Sequence, residues 1–337
     1  MEKFKVSNRG CPQCNMTCGN VITDTDNEPA ELDYENVTLL GSNLGLGDLQ
    51  KVAHLNRICD DYGLDTISAG NVIGFAMEAS EKKLIDQKIG WGDFEKAKTL
   101  IEDITFKRGN LGAMLSEGVR RTSEKIGKDS QKWAMHVKGL EITAYDCHTT
   151  PAMALAYGTA VSGAHHKDAF VISWEVEYGR DKYDEAKVDK IIELQRIRAG
   201  MFESLTTCRL PWVEVGFELD WYPKYLKAAT GVNMTFEDIF RIADRTFNLI
   251  RAFWVREYEG QWSSNMDVAP ARWFNEPLTK GPLKGTKLDK TKYEYMQQLY
   301  YKKRGWDNRG IPTKATLTKL GLADVAAELS KHVALTA

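Results

Sequence analysis

GDLQKVAHLNRICDDYGLDTISAGNVIGFAMEA, residues 47–79, reads as two helices joined by a glycine turn. Leu49, Val52, Leu55, Ile58 and Cys59 recur at three- and four-residue steps, the spacing that lines apolar side chains along one helical face. Gly63 stands where a chain leaving a helix takes up a left-handed backbone. From Ser68 to Ala79 the second helix is rich in Ala and Gly, so neighbouring backbone can approach it closely. Cys59 falls on the buried face of the first helix and is assigned to the core. Asp60 and Asp65 flank the turn and, read alone, are helix caps.

Working outward, the same periodicity recurs. GDFEKAKTLIEDITFKRG (92–109) and GAMLSEGVRRTSEKIG (112–127) read as two amphipathic surface helices joined by glycine. KGLEITAYD (138–146) is a short extended piece, and PAMALAYGTAVSGAHH (151–166) is again rich in small residues. DEAKVDKIIELQRIRAGMFESL (184–205) is an amphipathic helix leading to Cys208. In residues 235–258 Thr235 and Asp238 form a capping pair, and Phe236, Ile239, Phe240, Phe247, Ile250 and Trp254 are expected on one buried face. Residues 275–290, rich in Gly, Pro and Lys, read as a long surface loop. The fold class is mainly α, divided into helical domains at 1–150 and 151–337.

Composition narrows the partners. With 45 basic against 47 acidic residues, the net charge of -2 gives no bulk attraction to nucleic acid or an anionic membrane. No apolar run reaches eighteen residues, and the first ten lack a secretory core, so no membrane insertion and a cytoplasmic location are expected. There the six cysteines are thiols or metal ligands rather than disulfides.

Three of those cysteines, Cys11, Cys14 and Cys18, form a C-x2-C-x3-C run. Thiolates are soft ligands, and an iron–sulfur cluster needs several at once. A fourth ligand must come from Cys59, Cys147 or Cys208. Cys208, in the TTCRLPW turn after a helix, is the best placed. A structural zinc site is the alternative, though zinc sites usually pair C-x2-C or Cys–His knuckles and no second pair exists here.

The cysteine run, LDYENVTLLGSNLG (32–45), DDYGLDTISAGNVIGFAMEA (60–79), AYDCHTTPAMALAYGTAVSGAHHKDAF (144–170), the later lone cysteine and YYKKRGWDNRGIPTKATLTKLGL (300–322) together resemble the aldehyde:ferredoxin oxidoreductases. The likeness runs in order along essentially the whole chain. It implies the two helical C-terminal domains of that fold, a tungsten or molybdenum atom on two pterins, Mg2+ bridging pterin phosphates, and a [4Fe-4S] cluster held by Cys11, Cys14, Cys18 and Cys208. The family's D-x-x-G-L-D pterin motif matches Asp60, Gly63, Leu64 and Asp65. Its second copy reads ESLTTC, so Glu203 replaces the first acid and Thr206-Thr207 the Gly-Leu pair. Asp146 falls at another pterin contact, and Glu35 and His166 fall on the family's carboxylate and histidine near the metal. A carboxylate and an imidazole there suit proton transfer at an aldehyde carbon. Which of His165 and His166 faces the metal is open, as is the role of Cys147 in place of the usual proline.

The family's β-rich N-terminal domain has no counterpart before Cys11. The resemblance therefore implies a separate β-rich polypeptide or a longer gene, and an incomplete site in this chain alone. The implied activity is oxidation of an aldehyde to its carboxylate, with electrons passed to ferredoxin or another electron-transfer subunit and a homodimer left open. The related aryl-coenzyme A (benzoyl-CoA type) reductase subunit is one alternative, suggested by DCHTT and ESLTTCRLPW. An electron-transfer or assembly subunit without catalytic pterin is another.

Overall fold

Helices dominate the computed structural model, which describes residues 3–337, and they fall into two compact units. One unit comprises the residues up to Asp146 with Pro270–Asn275; the other comprises Cys147–Ala269 and Glu276–Ala337. No helix among the described residues is long and apolar enough to cross a membrane.

The first unit is built around the quoted stretch. Asp48 caps the helix Leu49–Tyr62 by accepting from the Gln50 and Lys51 N–H groups, and Gly63 ends it at φ 69°. Asp65 then starts the helix Thr66–Glu81, accepting from Ser68 N–H at 2.7 Å. Two helices thus stop and start within three residues because a glycine and a capping acid stand two positions apart. Gly70 is needed for packing: a Cβ there would lie 2.5 Å from the Leu39 carbonyl oxygen, at the end of the helix Tyr34–Leu40. Leu40, Leu55, Cys59, Ile73, Met77, Leu100 and Ile101 fill the core behind.

Residues 112–127 do not form one helix. Gly109–Leu115 and Gly118–Ile126 are separate. The cause is Glu141, a buried carboxylate that accepts from Val119 N–H at 2.7 Å and from Ser68 Oγ–H at 2.8 Å. Its Oε1 would lie 2.8 Å from a Cβ on Gly118, and Gly118 adopts φ 84° at the break. Ahead of the helices, Lys5–Arg9, Gly19–Thr23 and Pro29–Leu32 form a three-stranded antiparallel sheet with the middle segment central.

In the second unit the helix Pro151–Thr159 is buried along its whole length. Its N-terminal N–H groups at Ala152 and Met153 bond the buried Glu175 carboxylate, which also pairs with the buried Lys187 ammonium at 2.7 Å. The helix Glu185–Gln195 continues as a π-helix over Arg196–Phe202, where a simple amphipathic helix is expected from the sequence. Gly200 on that π segment packs on Ala243 so closely that a side chain on Gly200 would overlap the Ala243 methyl.

The helix Phe236–Glu257 has the expected Thr235–Asp238 capping box, but its buried stripe is Ile239, Ala243, Phe247, Arg251 and Val255. Phe236, Phe240, Ile250 and Trp254 are only half-buried. The face is rotated because buried Asp267 takes an ion pair from Arg251 at 2.8 Å, while Trp262 and Trp306 lie within 4.6 Å and 4.3 Å of the guanidinium. A cation is thereby housed in the core beside Ile250, the residue the apolar periodicity expects to be buried. Residues 276–289 form the expected exposed loop before the helix Lys290–Arg304.

Candidate metal and cofactor centre

Cys11, Cys14 and Cys18 lie in the connection between the first two strands, whose ends are closed by the Arg9–Gly19 pairing. All three thiols are exposed and none is in a disulfide. Cys14 N–H bonds the Cys11 carbonyl at 3.0 Å, and Gln13 and Thr17 take left-handed φ values of 62° and 40°. Non-glycine residues seldom adopt that conformation, and here two of them wind the chain around a three-thiol loop. The donor set fits a thiolate-bound cluster, since soft ligands are crowded on one loop with the sheet fixing its ends.

Glu35 sits in the first turn of the helix Tyr34–Leu40, and its Oε2 accepts from Ala144 N–H at 2.7 Å. Tyr34 OH donates to the Ala144 carbonyl at 2.9 Å, and the Tyr34 and Tyr145 rings lie 5.1 Å apart. The helix start is thus tied to the 144–146 segment, which brings Glu35 near the stretch carrying the exposed Asp146. Burial holds the Glu35 carboxyl above its usual range, and the Ala144 N–H partly offsets the rise.

The D-x-x-G-L-D turn exposes both acids. Asp60 accepts from Asn56 Nδ2 at 3.1 Å, and its carboxyl is raised by partial burial and by neighbouring Asp61. Leu64 N–H returns to the Cys59 carbonyl at 2.8 Å, so Gly63 and Leu64 close the helix end. Both carboxylates therefore stand on a rigid turn, as acceptors for amino groups require, and Asp65 is also the N-cap. The residues present fit a pterin's amino edge.

One cluster in this unit escaped the sequence reading. Asp24, Asp26 and His54 bring three ligand atoms within 4.8 Å of one another. Arg57 is already there, donating from Nε to Asp24 at 2.8 Å and from a terminal nitrogen to Asp26 at 2.9 Å. Its guanidinium already engages both carboxylates, so the group is an ion-pair hub rather than an open cation site. The DTDNE spacing (24–28) signals only the turn, because the histidine and arginine come from a helix about thirty residues on.

In the second unit, His165 and His166 lie in an irregular loop with different surroundings. His165 Nε2 meets Ser162 Oγ at 2.9 Å and lies 3.7 Å from Asp168. The His166 ring packs edge-on to Phe170 at 5.7 Å. Burial, then the charges of Arg198, Arg209 and His165, pull the His166 imidazole down to about 4. Arg198, presented by the π-helix, donates from Nε to the Lys167 carbonyl at 3.1 Å and stacks over Phe170. Glu203 is exposed and 3.6 Å from Lys167. Cys208 is exposed in the turn after the π-helix, its sulfur accepting from Leu210 N–H at 3.4 Å, with Thr206 left-handed two residues before it. Cys147 is buried, as is His148. Three candidate cluster ligands thus belong to one unit and Cys208 to the other.

A family profile described as aldehyde ferredoxin oxidoreductase, domains 2 and 3, matches residues 1–322. The chain belongs to the aldehyde ferredoxin oxidoreductase family. The Tungsten-containing aldehyde ferredoxin oxidoreductase of Pyrococcus furiosus is 35% identical over 335 residues, covering 96% of this chain and 54% of the relative. The protein of that name from Thermococcus kodakarensis is 32% identical over 335 residues with the same coverage. The Aliphatic sulfonate oxidoreductase, WOR-like subunit, of P. furiosus is 27% identical over 312 residues, 89% of this chain and 47% of the relative. Among solved structures, the active site complex BamBC of benzoyl coenzyme A reductase, bound to 1,5-dienoyl-CoA, matches with TM-score 0.78 and 21% identity, covering all of this chain and 56% of that one. That likeness establishes the shared fold. The chain spans about half the length of the aldehyde ferredoxin oxidoreductases it matches.

Proposed function

We propose that this chain carries the cluster-binding and part of the pterin-binding half of a tungsten oxidoreductase that converts an aldehyde to its carboxylate. The observation that carries the reading is the three-thiol loop on a chain matching the tungsten-containing aldehyde ferredoxin oxidoreductases over 96% of its length. Cys11, Cys14, Cys18 and Cys208 are the ligands of one [4Fe-4S] cluster in this account. Asp60, Asp65, Asp146 and Glu203 accept hydrogen bonds from pterin amino groups, with Gly63 and Leu64 setting the turn. Mg2+ on pterin phosphates and a ferredoxin acceptor in the cytoplasm belong to the same reading. The remaining pterin contacts come from a β-rich region corresponding to the relatives' first domain, in the same protein or a partner.

When bound, the tungsten–pterin group supplies two-electron oxidation and the cluster passes electrons on singly. The chain's own side chains move protons. Glu35, raised by burial, takes up a proton more readily than a solvated carboxylate, and Ala144 N–H fixes its orientation. His166, neutral at physiological pH, offers an imidazole N–H to the substrate carbonyl oxygen as charge builds on it.

Aldehyde-dependent reduction of a viologen dye, measured anaerobically on protein co-expressed with a β-rich first-domain polypeptide, tests the reading. Aldehyde turnover supports it. Turnover with an aryl-coenzyme A thioester and none with aldehydes would replace it with the aryl-CoA reductase reading, which the BamBC fold likeness and the departures at DCHTT and ESLTTC favour as the second choice.

A further inference from the structure

A polar cleft of about 460 Å³ opens in the second unit between the N-terminal half of the helix Phe236–Glu257 and the corner joining the helices Lys290–Arg304 and Lys314–Lys319. Its charged lining is Arg241, Lys303, Arg304 and Lys319 against Glu237 and Asp244. None of these residues belongs to the cofactor centre described above.

The floor is a fixed ion network. Asp244 accepts two bonds from Arg196, at 3.0 and 2.7 Å, and a third from Arg304 at 3.0 Å. Arg304 is buried and also bonds Tyr300 OH and Gln195 Oε1. Two guanidinium groups therefore share one carboxylate, leaving a net positive charge behind the cleft. Neighbouring Asn248 is equally committed, donating to the Asp244 carbonyl and accepting from Trp306 Nε1–H.

The rim is different. Lys303 is held by Glu185 and Asp189, whereas Arg241 and Lys319 are exposed and line the cleft beside Glu237. Asp238, on the same helix as Arg241, also acts on that guanidinium. A cleft with a hydrogen-bonded floor of guanidinium groups and two exposed cations at its mouth is complementary to a small anion such as a phosphate. Its volume falls in the range of small-molecule sites and exceeds what a bare inorganic ion needs.

The geometry points to this cleft as a binding site for a phosphate-bearing small metabolite, the phosphate meeting Arg241 and Lys319 and the organic body lying toward Glu237. The inference is independent of the proposed oxidoreductase activity.

Calorimetric titration of the chain with inorganic pyrophosphate, and separately with a sugar monophosphate, tests it. Saturable one-to-one binding is expected, tighter for the sugar phosphate, and weakened about tenfold or more in the Arg241→Gln/Lys319→Gln double variant, since each charge-assisted contact is worth about a factor of ten. Both changed residues are exposed, so the fold is expected to stay intact. A control pair, Lys227→Gln/Lys331→Gln, removes the same charge elsewhere in the unit. No saturable binding, or equal weakening in the control pair, would overturn the assignment.

Discussion

Arg198 donates from Nε to the Lys167 carbonyl at 3.1 Å, and its guanidinium lies over the Phe170 ring. Both contacts fall on the loop immediately after His166. The guanidinium reaches the loop because the chain is π-helical from Arg196 to Phe202, and Gly200 permits close packing of that segment on Ala243. π-helical turns often mark functional sites because the wide turn re-aims one side chain. Arg198→Met is expected to leave iron content unchanged and to slow turnover roughly tenfold to a hundredfold through misplacement of His166. Arg198→Lys keeps the charge but loses the planar donor and is expected to recover only part of the rate. Parental turnover in Arg198→Met, measured by steady-state kinetics, would remove the arginine from this role.

Glu35→Gln preserves size and hydrogen bonding while removing the proton acceptor. Turnover is expected to fall about a hundredfold or more, the usual scale for a general acid–base group, with tungsten and iron retained. His166→Asn is expected to have a similar effect, and His165→Asn a smaller one, since His165 is engaged with Ser162. Kinetics and metal content on the same samples decide between the two histidines.

Acid stability follows from two histidines held neutral. Burial, with Arg120 adding to it and Glu124 opposing, pulls His136 down to about 4, and His166 is pulled down similarly. Both take up protons near 6.5 when unfolded. Between about pH 6.5 and 4 the unfolded chain therefore binds more protons than the folded one, so stability is present above that window and is lost as pH falls through it. The denaturation midpoint is expected to drop over this range, and His136→Gln and His166→Asn are each expected to flatten the slope. A slope unchanged in both variants would contradict the assignment.

Glu141 is a structural carboxylate whose loss is expected to be costly. Glu141→Ala leaves Val119 N–H and Ser68 Oγ without their acceptor in a buried setting, a loss of about 3 kcal/mol. Glu141→Gln retains one acceptor and is expected to cost about half as much. Urea denaturation of the two variants measures the difference.

Local features were legible in the sequence where one residue sets one backbone bond. Gly63, Asp65 and the Thr235–Asp238 pair all cap as their positions predict. Features governed by distant polar partners were not legible. Arg251 turns inward because Asp267 lies sixteen residues further on, and the helix break at Gly118 answers to Glu141. The π-helix was invisible for a similar reason, since its register is set by contact between Gly200 and another helix. At the candidate site, the cysteine spacing and the two flanking acids could be read directly. The tie between Glu35 and Ala144 spans 109 residues and could not.

The identity of the metal group on the thiol loop is the central claim, and iron content of the anaerobically reconstituted chain tests it most directly. About four irons per chain are expected, with the broad thiolate-to-iron absorption of a [4Fe-4S] cluster, and Cys208→Ser is expected to lose or alter that spectrum. Stoichiometric zinc without iron, or a cluster indifferent to the loss of Cys11, Cys14 or Cys18, would contradict the account.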